Sequence, residues 1–270
     1  MLITTYLLDS CTSETFKGNP TPVCILPMDC SEKLLQSIAT ELNQPVTIYI
    51  LKETEEHYKI RYFTSTTEIP ACGHGTLAAA KLLNVINGTD EIEFITAKGL
   101  RIPVNIESGL ACIEYPIFKL RDTKVSKNML KALGVEKYVY AGITSELEML
   151  MIELDDPLLL RKVKPDYIKL VNSDSEIKEV VITSISDRPE YDFLLRSFCP
   201  WIGIDEDPVT GSVHSSLAPF WKSKLGKDPL RAYQASARGG EIQVSVNNDK
   251  SVSLKANAIV IYKGEIELHL

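Results

Sequence analysis

One segment of this 270-residue chain is apolar on nearly every side over the length of a helix, and a second helix-length segment has repeated apolar positions. The first, at residues 76–86, reads TLAAAKLLNVI, and its polar interruptions are Lys81 and Asn84. The second, at residues 211–225, carries apolar side chains from Val213 to Leu225. Runs of strand-forming residues flank both segments. Because a helix without a polar face must be enclosed by other elements, the sequence predicts strands built around two buried helices.

Composition changes at about Lys119, where the basic and apolar-poor stretch KLRDTKVSKN begins. We divide the chain there into residues 1–118, with a central helix at about 74–87, and residues 119–270, with a central helix at about 211–225. An arrangement in which the last strand crosses back to the first half stays open. The length suits one large domain or two smaller ones, so we expect an α/β (α+β) protein of two similar halves.

Local signals predict several other elements. Ser31 is a candidate cap for an amphipathic helix that ends before Pro45. The strand-forming runs TIYILK and HYKIRYFTST flank the polar ETEE, and NNDK separates two later strands. Both polar segments are typical of hairpin turns.

The two apolar helices open in a similar way, with Cys72-Gly73-His74-Gly75 and with Thr210-Gly211-Ser212-Val213. A thiol or hydroxyl residue is followed by glycine in both. Helix N-termini offer N–H groups and partial positive charge, and glycine lets a ligand approach the backbone. Two such ends facing each other would clamp a carboxylate. Four-residue similarities also arise by chance, so two unrelated helix starts remain the alternative.

The charge balance favours a small-molecule partner. A net charge of -7, without a long basic run, argues against nucleic-acid and anionic-membrane binding. The six scattered cysteines are typical of reduced cytosolic thiols. No stretch approaches a membrane span, and we expect a cytoplasmic protein. No recognised metal-ligand spacing occurs.

Four motifs together resemble the phenazine-biosynthesis PhzF family of isomerases. They are FKGNP at 16–20, EIPACGHGTLAAA at 68–80, EDPVTGSVHSSL at 206–217 and QASARGGEI at 234–242. The resemblance implies the diaminopimelate epimerase-like fold, in which each of two pseudo-repeated halves has a curved, mostly antiparallel sheet around a central helix. It also implies a site in the cleft between the halves, and a homodimer.

The same resemblance implies a cofactor-independent reaction that moves a proton on carbon of a small carboxylic or amino acid. Its motifs identify His74 and Asp207 as candidate catalytic residues and Ser212 as a substrate-binding residue. Each also has a structural interpretation: His74 as a buried structural histidine, Asp207 as a helix cap and Ser212 as a partner of the helix start.

Further substrate-binding candidates lie at the two helix starts. Gly73, Gly75 and Gly211 are the expected positions of close backbone approach, and Thr210 precedes the second helix. Arg238 would pair either with a substrate carboxylate or in a surface ion pair.

One position departs from the family pattern. PhzF-like isomerases typically have a segment N-x-S-E-T whose Glu is the catalytic acid or base, whereas residues 43–47 here read NQPVT. Val46 cannot carry a proton. Three explanations stay open. Another residue has taken the role of the catalytic acid or base, the reaction differs from that of the family, or the protein binds a ligand without converting it.

Cys72 is the preferred replacement. A thiol at a helix start is favoured as thiolate, and related diaminopimelate epimerases and proline racemases use a cysteine at each helix start. Here Thr210 stands at the second position, so Asp207 would partner the thiol. Glu41 is a weaker replacement because its spacing is wrong, and a space-filling role for Cys72 is the structural alternative.

Three other functions are alternatives to an active PhzF-like isomerase. A dehydrogenase would use Gly73 to Ala78 as GxGxxA, but no buried strand precedes it. A serine hydrolase would use Ser212, His214 and Asp207, but the GxSxG turn is missing. The serious rival is a PhzF-like protein that has lost its acid and binds a metabolite without catalysis.

Overall fold

A computed structural model describes residues 1–54, 56–248 and 250–268. Contacts within the chain define two compact units: unit 1 is Met1–Glu114 with Leu254–Leu270, and unit 2 is Tyr115–Ser253. The division falls shortly before the boundary that composition suggested at Lys119, and the C-terminal segment belongs to unit 1.

The described residues of the N-terminal part of the chain form eight strands and two helices. They are β1 (Leu2–Ser10), β2 (Asn19–Ile25), α1 (Glu32–Leu42), β3 (Thr47–Lys52), β4 (His57–Phe63), β5 (Glu68–Ile69), α2 (Gly73–Asn87), β6 (Glu91–Thr96), β7 (Arg101–Glu107) and β8 (Leu110–Pro116).

The rest of the chain contains the other elements. They are β9 (Arg121–Asp122), α3 (Lys127–Leu133), β10 (Tyr140–Thr144), β11 (Met149–Glu153), α4 (Pro157–Lys162), α5 (Tyr167–Val171), β12 (Glu179–Ile185), β13 (Phe193–Cys199), a 3-10 turn at Pro200–Ile202, β14 (Ile204–Asp207), α6 (His214–Leu225), β15 (Leu230–Gln234), β16 (Gly240–Asn247), β17 (Ser251–Ala256) and β18 (Ala258–Glu267).

In unit 1, antiparallel strand pairs alternate with parallel pairs whose strands are joined by a helical crossover. β1 runs antiparallel to both β2 and β18, and β3 runs antiparallel to β4. β2 runs parallel to β3 with α1 between them in the sequence, and β4 runs parallel to β6 with α2 between them. Parallel neighbours need such a crossover, which explains why each helix lies where it does in the sequence.

The apolar helix α2 is enclosed by unit 1, as its composition predicts. It packs against β1, β2, β3, β7 and β18. Its run of small residues at positions 78–80 is fully buried, so strands approach its axis closely.

Helix α1 follows its sequence signals. The Ser31 hydroxyl accepts a hydrogen bond from the Leu34 N–H at 3.4 Å, and the helix ends at Asn43 in the left-handed conformation. Its buried face, with Leu35 and Ile38, packs with Tyr49 in one apolar cluster.

Unit 2 repeats the pairing scheme. β10 and β11 are antiparallel, and β11 is parallel to β12 after α4 and α5. β12 and β13 are antiparallel, and β13 is parallel to β15 after α6. The order of antiparallel pair, crossover, antiparallel pair and crossover is therefore the same in both units.

Helix α6 begins at His214, three residues after Gly211, where the sequence predicted its start. Residues 211–213 form a tight turn in which the His214 N–H donates to the Gly211 carbonyl at 3.1 Å and the Ser215 N–H to the Ser212 carbonyl at 3.0 Å. Farther along α6, the Trp221 ring stacks on Phe193 with centroids 5.5 Å apart.

The local predictions for the boundary stretch and for the two hairpin turns have different outcomes. Residues 127–133 form α3, capped by the Ser126 hydroxyl, and the first two of them belong to the stretch KLRDTKVSKN that was taken for an apolar-poor boundary. β3 and β4 pair as the predicted hairpin. The ETEE and NNDK turns each include a residue, Glu55 and Asp249, outside the described part of the chain.

Candidate functional site

The start of α2 holds its backbone in place without using the Cys72 thiol. Cys72 is the N-cap residue, in extended conformation, and its side chain makes no capping hydrogen bond. The Thr76 hydroxyl donates to the Cys72 carbonyl at 2.8 Å and is 2.7 Å from the Tyr62 hydroxyl. The helix start is thus fixed by the threonine, which leaves the thiol to other contacts.

His74 lies beside that thiol. The Cys72 Sγ atom is 3.6 Å from Nδ1 and 3.4 Å from Nε2 of His74, and Asn19 Nδ2 is 3.5 Å from Nδ1. Both Asn19 and His74 are buried. Burial lowers the pKa of His74 to about 4, so the imidazole is neutral at physiological pH.

The structure thus brings two predicted residues, Cys72 and His74, to one place and adds Asn19, which sequence reasoning did not single out. The available signal was the FKGNP motif, where Asn19 follows glycine. A neutral imidazole donates one hydrogen bond and accepts another. It therefore suits polarising a substrate oxygen more than delivering a proton.

Gly75 is required by the packing of the site itself. A Cβ atom there would lie 2.3 Å from the Ile48 Cδ1 atom and 3.1 Å from the Cys72 Sγ atom. A residue other than glycine would therefore push against both neighbours.

Val46, immediately before β3, is buried with 4% exposure. Glu41, the alternative acid on α1, is exposed. At position 46 unit 1 thus has an apolar side chain and no proton carrier.

In unit 2, Asp207 and Thr210 are joined directly. The Thr210 hydroxyl donates to Asp207 Oδ2 at 2.6 Å. Gln234 holds the same loop, since its Nε2 donates to the Asp207 carbonyl at 2.7 Å and its Oε1 accepts from the Thr210 N–H at 2.8 Å. All three residues are buried. Thr210 orients the Asp207 carboxyl group.

Gln234 was missed as an individual residue, although it opens the quoted QASARGGEI motif. The loop after it is tied to the same region: Ser236 Oγ donates to the Pro208 carbonyl at 2.7 Å and accepts from the Gly239 N–H at 3.1 Å. Gly239 has φ +69, and a Cβ atom there would lie 2.2 Å from the Tyr233 hydroxyl. Arg238, in that turn, is half-buried.

The remaining helix-start residues of unit 2 have distinct environments. Gly211 is buried and Ser212 half-buried in the turn before α6. His214 is buried against the Phe193 ring, with centroids 5.9 Å apart. Burial lowers the pKa of His214 to about 3. His214 is neutral, and no hydrogen bond joins it to Ser212 among the described residues.

Within the described ranges, no group of three or more His, Cys, Asp or Glu side chains is arranged to hold a metal ion. Of the helices in the described part of the chain, none is long and apolar enough to cross a membrane.

Comparison with known proteins gives a consistent assignment. The sequence model of the phenazine biosynthesis-like protein family (PhzC-PhzF) matches residues 8–264. An uncharacterized isomerase of Halalkalibacterium halodurans is 34% identical, over 97% of this chain and 98% of that protein. A solved PhzF-family structure from Enterococcus faecalis has a TM-score of 0.92 at 31% identity, covering 99% of this chain and 100% of the other.

The fold extends to more distant proteins. A hydroxyproline epimerase of Agrobacterium vitis has a TM-score of 0.58 at 10% identity, covering 98% of this chain and 92% of the other, which is a likeness of fold alone. The expected diaminopimelate epimerase-like α/β fold is confirmed. From its motifs, its fold and the family match over nearly its whole length, the chain belongs to the PhzC-PhzF phenazine biosynthesis-like family.

Proposed function

We propose that this protein is an isomerase or epimerase that moves a proton on carbon of a small carboxylic or amino acid, without metal or cofactor. The observation that carries the proposal is a buried proton-bearing group in each unit, shortly before its enclosed helix. Cys72 directly precedes α2 and its thiol lies beside His74. Asp207 accepts a hydrogen bond from the Thr210 hydroxyl before α6. The relative named as an isomerase supports the reaction class.

The reaction needs a base, an acid and stabilisation of negative charge. In one direction, the Cys72 thiolate removes the proton from carbon, and the electron pair of the C–H bond passes into the neighbouring carboxylate or conjugated system. Asp207, in its acid form, returns a proton to carbon. The reverse direction exchanges the two roles. The N–H group of Gly73 at the start of α2 and that of Gly211 in the turn before α6 stabilise the developing charge.

Solvent exchange tests this proposal. Incubation in deuterated water with a panel of small carboxylic, amino and cyclic acids is expected to introduce deuterium at carbon, detected by proton NMR. Asp207→Asn is expected to lower the exchange rate by about 10² to 10⁴, the usual contribution of a positioned acid or base. Asp205→Asn, an exposed site on the same strand β14, is the matched control and should retain the wild-type rate.

The second candidate function is metabolite binding without catalysis, and the buried Val46 is the observation that favours it. Calorimetric binding of an acid from the panel, with no deuterium entering it, would establish this alternative. An Asp207→Asn variant that is folded and exchanges at the wild-type rate would remove Asp207 from the mechanism.

A homodimer and a cytoplasmic location are further proposals, based on the family resemblance and on the scattered cysteines. Light scattering on the purified chain tests the first, and cell fractionation tests the second.

A further inference from the structure

A second buried carboxyl group lies close to Asp207, outside all the motifs that carry the family resemblance. Glu179, the first residue of β12, has 9% exposure. Its Oε1 atom accepts a hydrogen bond from the Ser197 hydroxyl at 2.6 Å. Ser197, fully buried on β13, is in register with Asp207 across the β13–β14 pair. The serine thus stands between the two acids.

A thiol completes this cluster. The Cys199 Sγ atom is 3.5 Å from the Ser197 hydroxyl and hydrogen-bonds with Glu179. Burial raises the pKa of the Cys199 thiol well above its usual value, and the charges of Glu179 and Asp207 raise it further. Cys199 is therefore a neutral thiol. We call Glu179, Ser197, Cys199 and Asp207 the acid cluster.

No cation among the described residues affects the pKa of Glu179. Ser197 and Cys199 face it from β13 and Asp207 from β14. On its other side, β11 places the uncharged Met149 in register with it.

The nearby arginines are directed elsewhere. Arg196 of β13 binds Glu206 at 2.7 and 2.9 Å and donates to the Val163 carbonyl at 2.6 Å. Arg161 of α4 binds Asp187. Arg196 and Arg161 thus each have a carboxylate partner other than Glu179.

The protonation of Glu179 follows from these surroundings. Burial raises the pKa of Glu179 to about 7, and the negative charge of Asp207 adds to that rise, while the Ser197 and Cys199 hydrogen bonds oppose it. Two neighbouring buried carboxyl groups resist ionising together. Below about pH 7, Glu179 therefore holds a proton, and above it Glu179 ionises.

We propose that Glu179 is a positioning residue for Asp207, which by holding or releasing its own proton within the acid cluster sets how strongly Asp207 binds a proton. This deepens the proposed function and rests on it for its catalytic meaning. When Glu179 is protonated, Asp207 sees a neutral neighbour. When Glu179 ionises, the second negative charge strengthens proton binding at Asp207.

The first test needs no turnover. Carboxyl carbon NMR of protein labelled in its Glu and Asp side chains is followed from pH 4 to 9. Glu179, assigned with Glu179→Gln, is expected to titrate near 7. In Asp207→Asn its pKa should fall by about half a unit or more, because the neighbouring charge is gone. Asp205→Asn, which removes a carboxylate from an exposed site on β14, should not produce that fall.

The second test uses the pH dependence of solvent exchange. Glu179→Gln keeps the size of the side chain and an acceptor for Ser197, but it cannot ionise. Its rate should match wild type at pH 6 and differ at pH 8 by about three- to tenfold, less than the loss of an acid or base itself. A purely packing role for Glu179 would change the rate equally at both pH values.

The two tests separate this inference from the proposed function. If wild-type protein exchanges nothing but Glu179 titrates near 7 and responds to Asp207→Asn, the coupled pair exists and the isomerase proposal fails. If Glu179 titrates near the ordinary value of a glutamate, or ignores Asp207→Asn, the inference is overturned whatever the exchange rate. Parallel pH profiles of wild type and Glu179→Gln would also overturn it.

Discussion

Burial controls the protonation of individual residues in both units. His74 and His214 have pKa values lowered by burial to about 4 and about 3, and that of Glu179 is raised to about 7. Both histidines are therefore neutral at neutral pH, whereas Glu179 is close to the midpoint of its titration. The reactivity of Cys72 consequently has to arise beside a neutral imidazole, with the α2 N-terminus as the source of positive potential.

At the residue scale, Cys72 is expected to be the most reactive thiol. It should alkylate with iodoacetamide at pH 7 faster than Cys30, although Cys30 is more exposed, because the helix start favours the Cys72 thiolate while burial and Asp29 raise the pKa of Cys30. A carboxylate ligand should protect Cys72 and leave Cys30 unchanged. Mass-spectrometric mapping measures both rates. Faster labelling of Cys30, or no ligand protection, would make Cys72 a spectator.

At the scale of elements, patterns with their own local cause were predictable. Ser31 caps α1 and Gly88 ends α2 because each satisfies a local backbone requirement. Helix α3 was missed since its seven residues carry two lysines and bury few side chains. The later start of α6 was also hidden, because residues 211–213 form a tight turn that composition cannot distinguish from a helix start.

The residues of the candidate site also divide into those that the sequence identifies and those that only the fold brings together. Motif residues such as Cys72 and Asp207 are recognisable in the sequence, whereas Gln234 and Glu179 join the Asp207 environment through sheet pairing. The approach of β12 to β14 across β13 depends on register. No local pattern in the sequence encodes that contact.

The segment between α1 and β3 allows a test of position 46, where Val46 stands in place of the glutamate expected from the family resemblance. In a Cys72→Ala background, Val46→Glu is expected to restore deuterium exchange by about tenfold or more, because it returns an acid to the position where the family uses one. Val46→Gln is the matched control, with similar size and no proton to deliver. Burial of the new carboxyl should also lower the free energy of unfolding by about 1–3 kcal/mol. Equal exchange rates in the Glu and Gln variants would count against the acid role.

At the scale of the whole molecule, antiparallel and parallel strand pairs follow one another in the same order in both units, although the helices of the two units differ in length and number. The sequence predicts this repeat because each enclosed helix must lie between strands. It leaves open whether the last strand crosses back to the first half, and in the structure β18 pairs with β1 of unit 1. Such a long-range pairing depends on which strand edge remains available after the others have paired.

The buried ionisable groups of both units together predict how stability varies with pH. The folded protein resists protonation of His74 and His214, whose pKa values lie below the ordinary 6.5, so their contribution is complete above pH 6.5 and falls as pH decreases toward 4. Glu179 acts oppositely. Its pKa lies above the ordinary 4.5, so the folded state loses stability as pH rises from 4.5 to about 7.

Urea unfolding followed by circular dichroism between pH 4 and 8 measures these contributions. Each titrating group changes the free energy of unfolding by about 1.4 kcal/mol per pH unit within its window. His214→Phe should therefore flatten the acid side of the curve. Glu179→Gln should steepen that side and gain roughly 3–4 kcal/mol relative to wild type above pH 7, with the gain vanishing below pH 4.5. Curves that stay parallel to wild type in both variants would show that these groups ionise alike in the folded and unfolded protein.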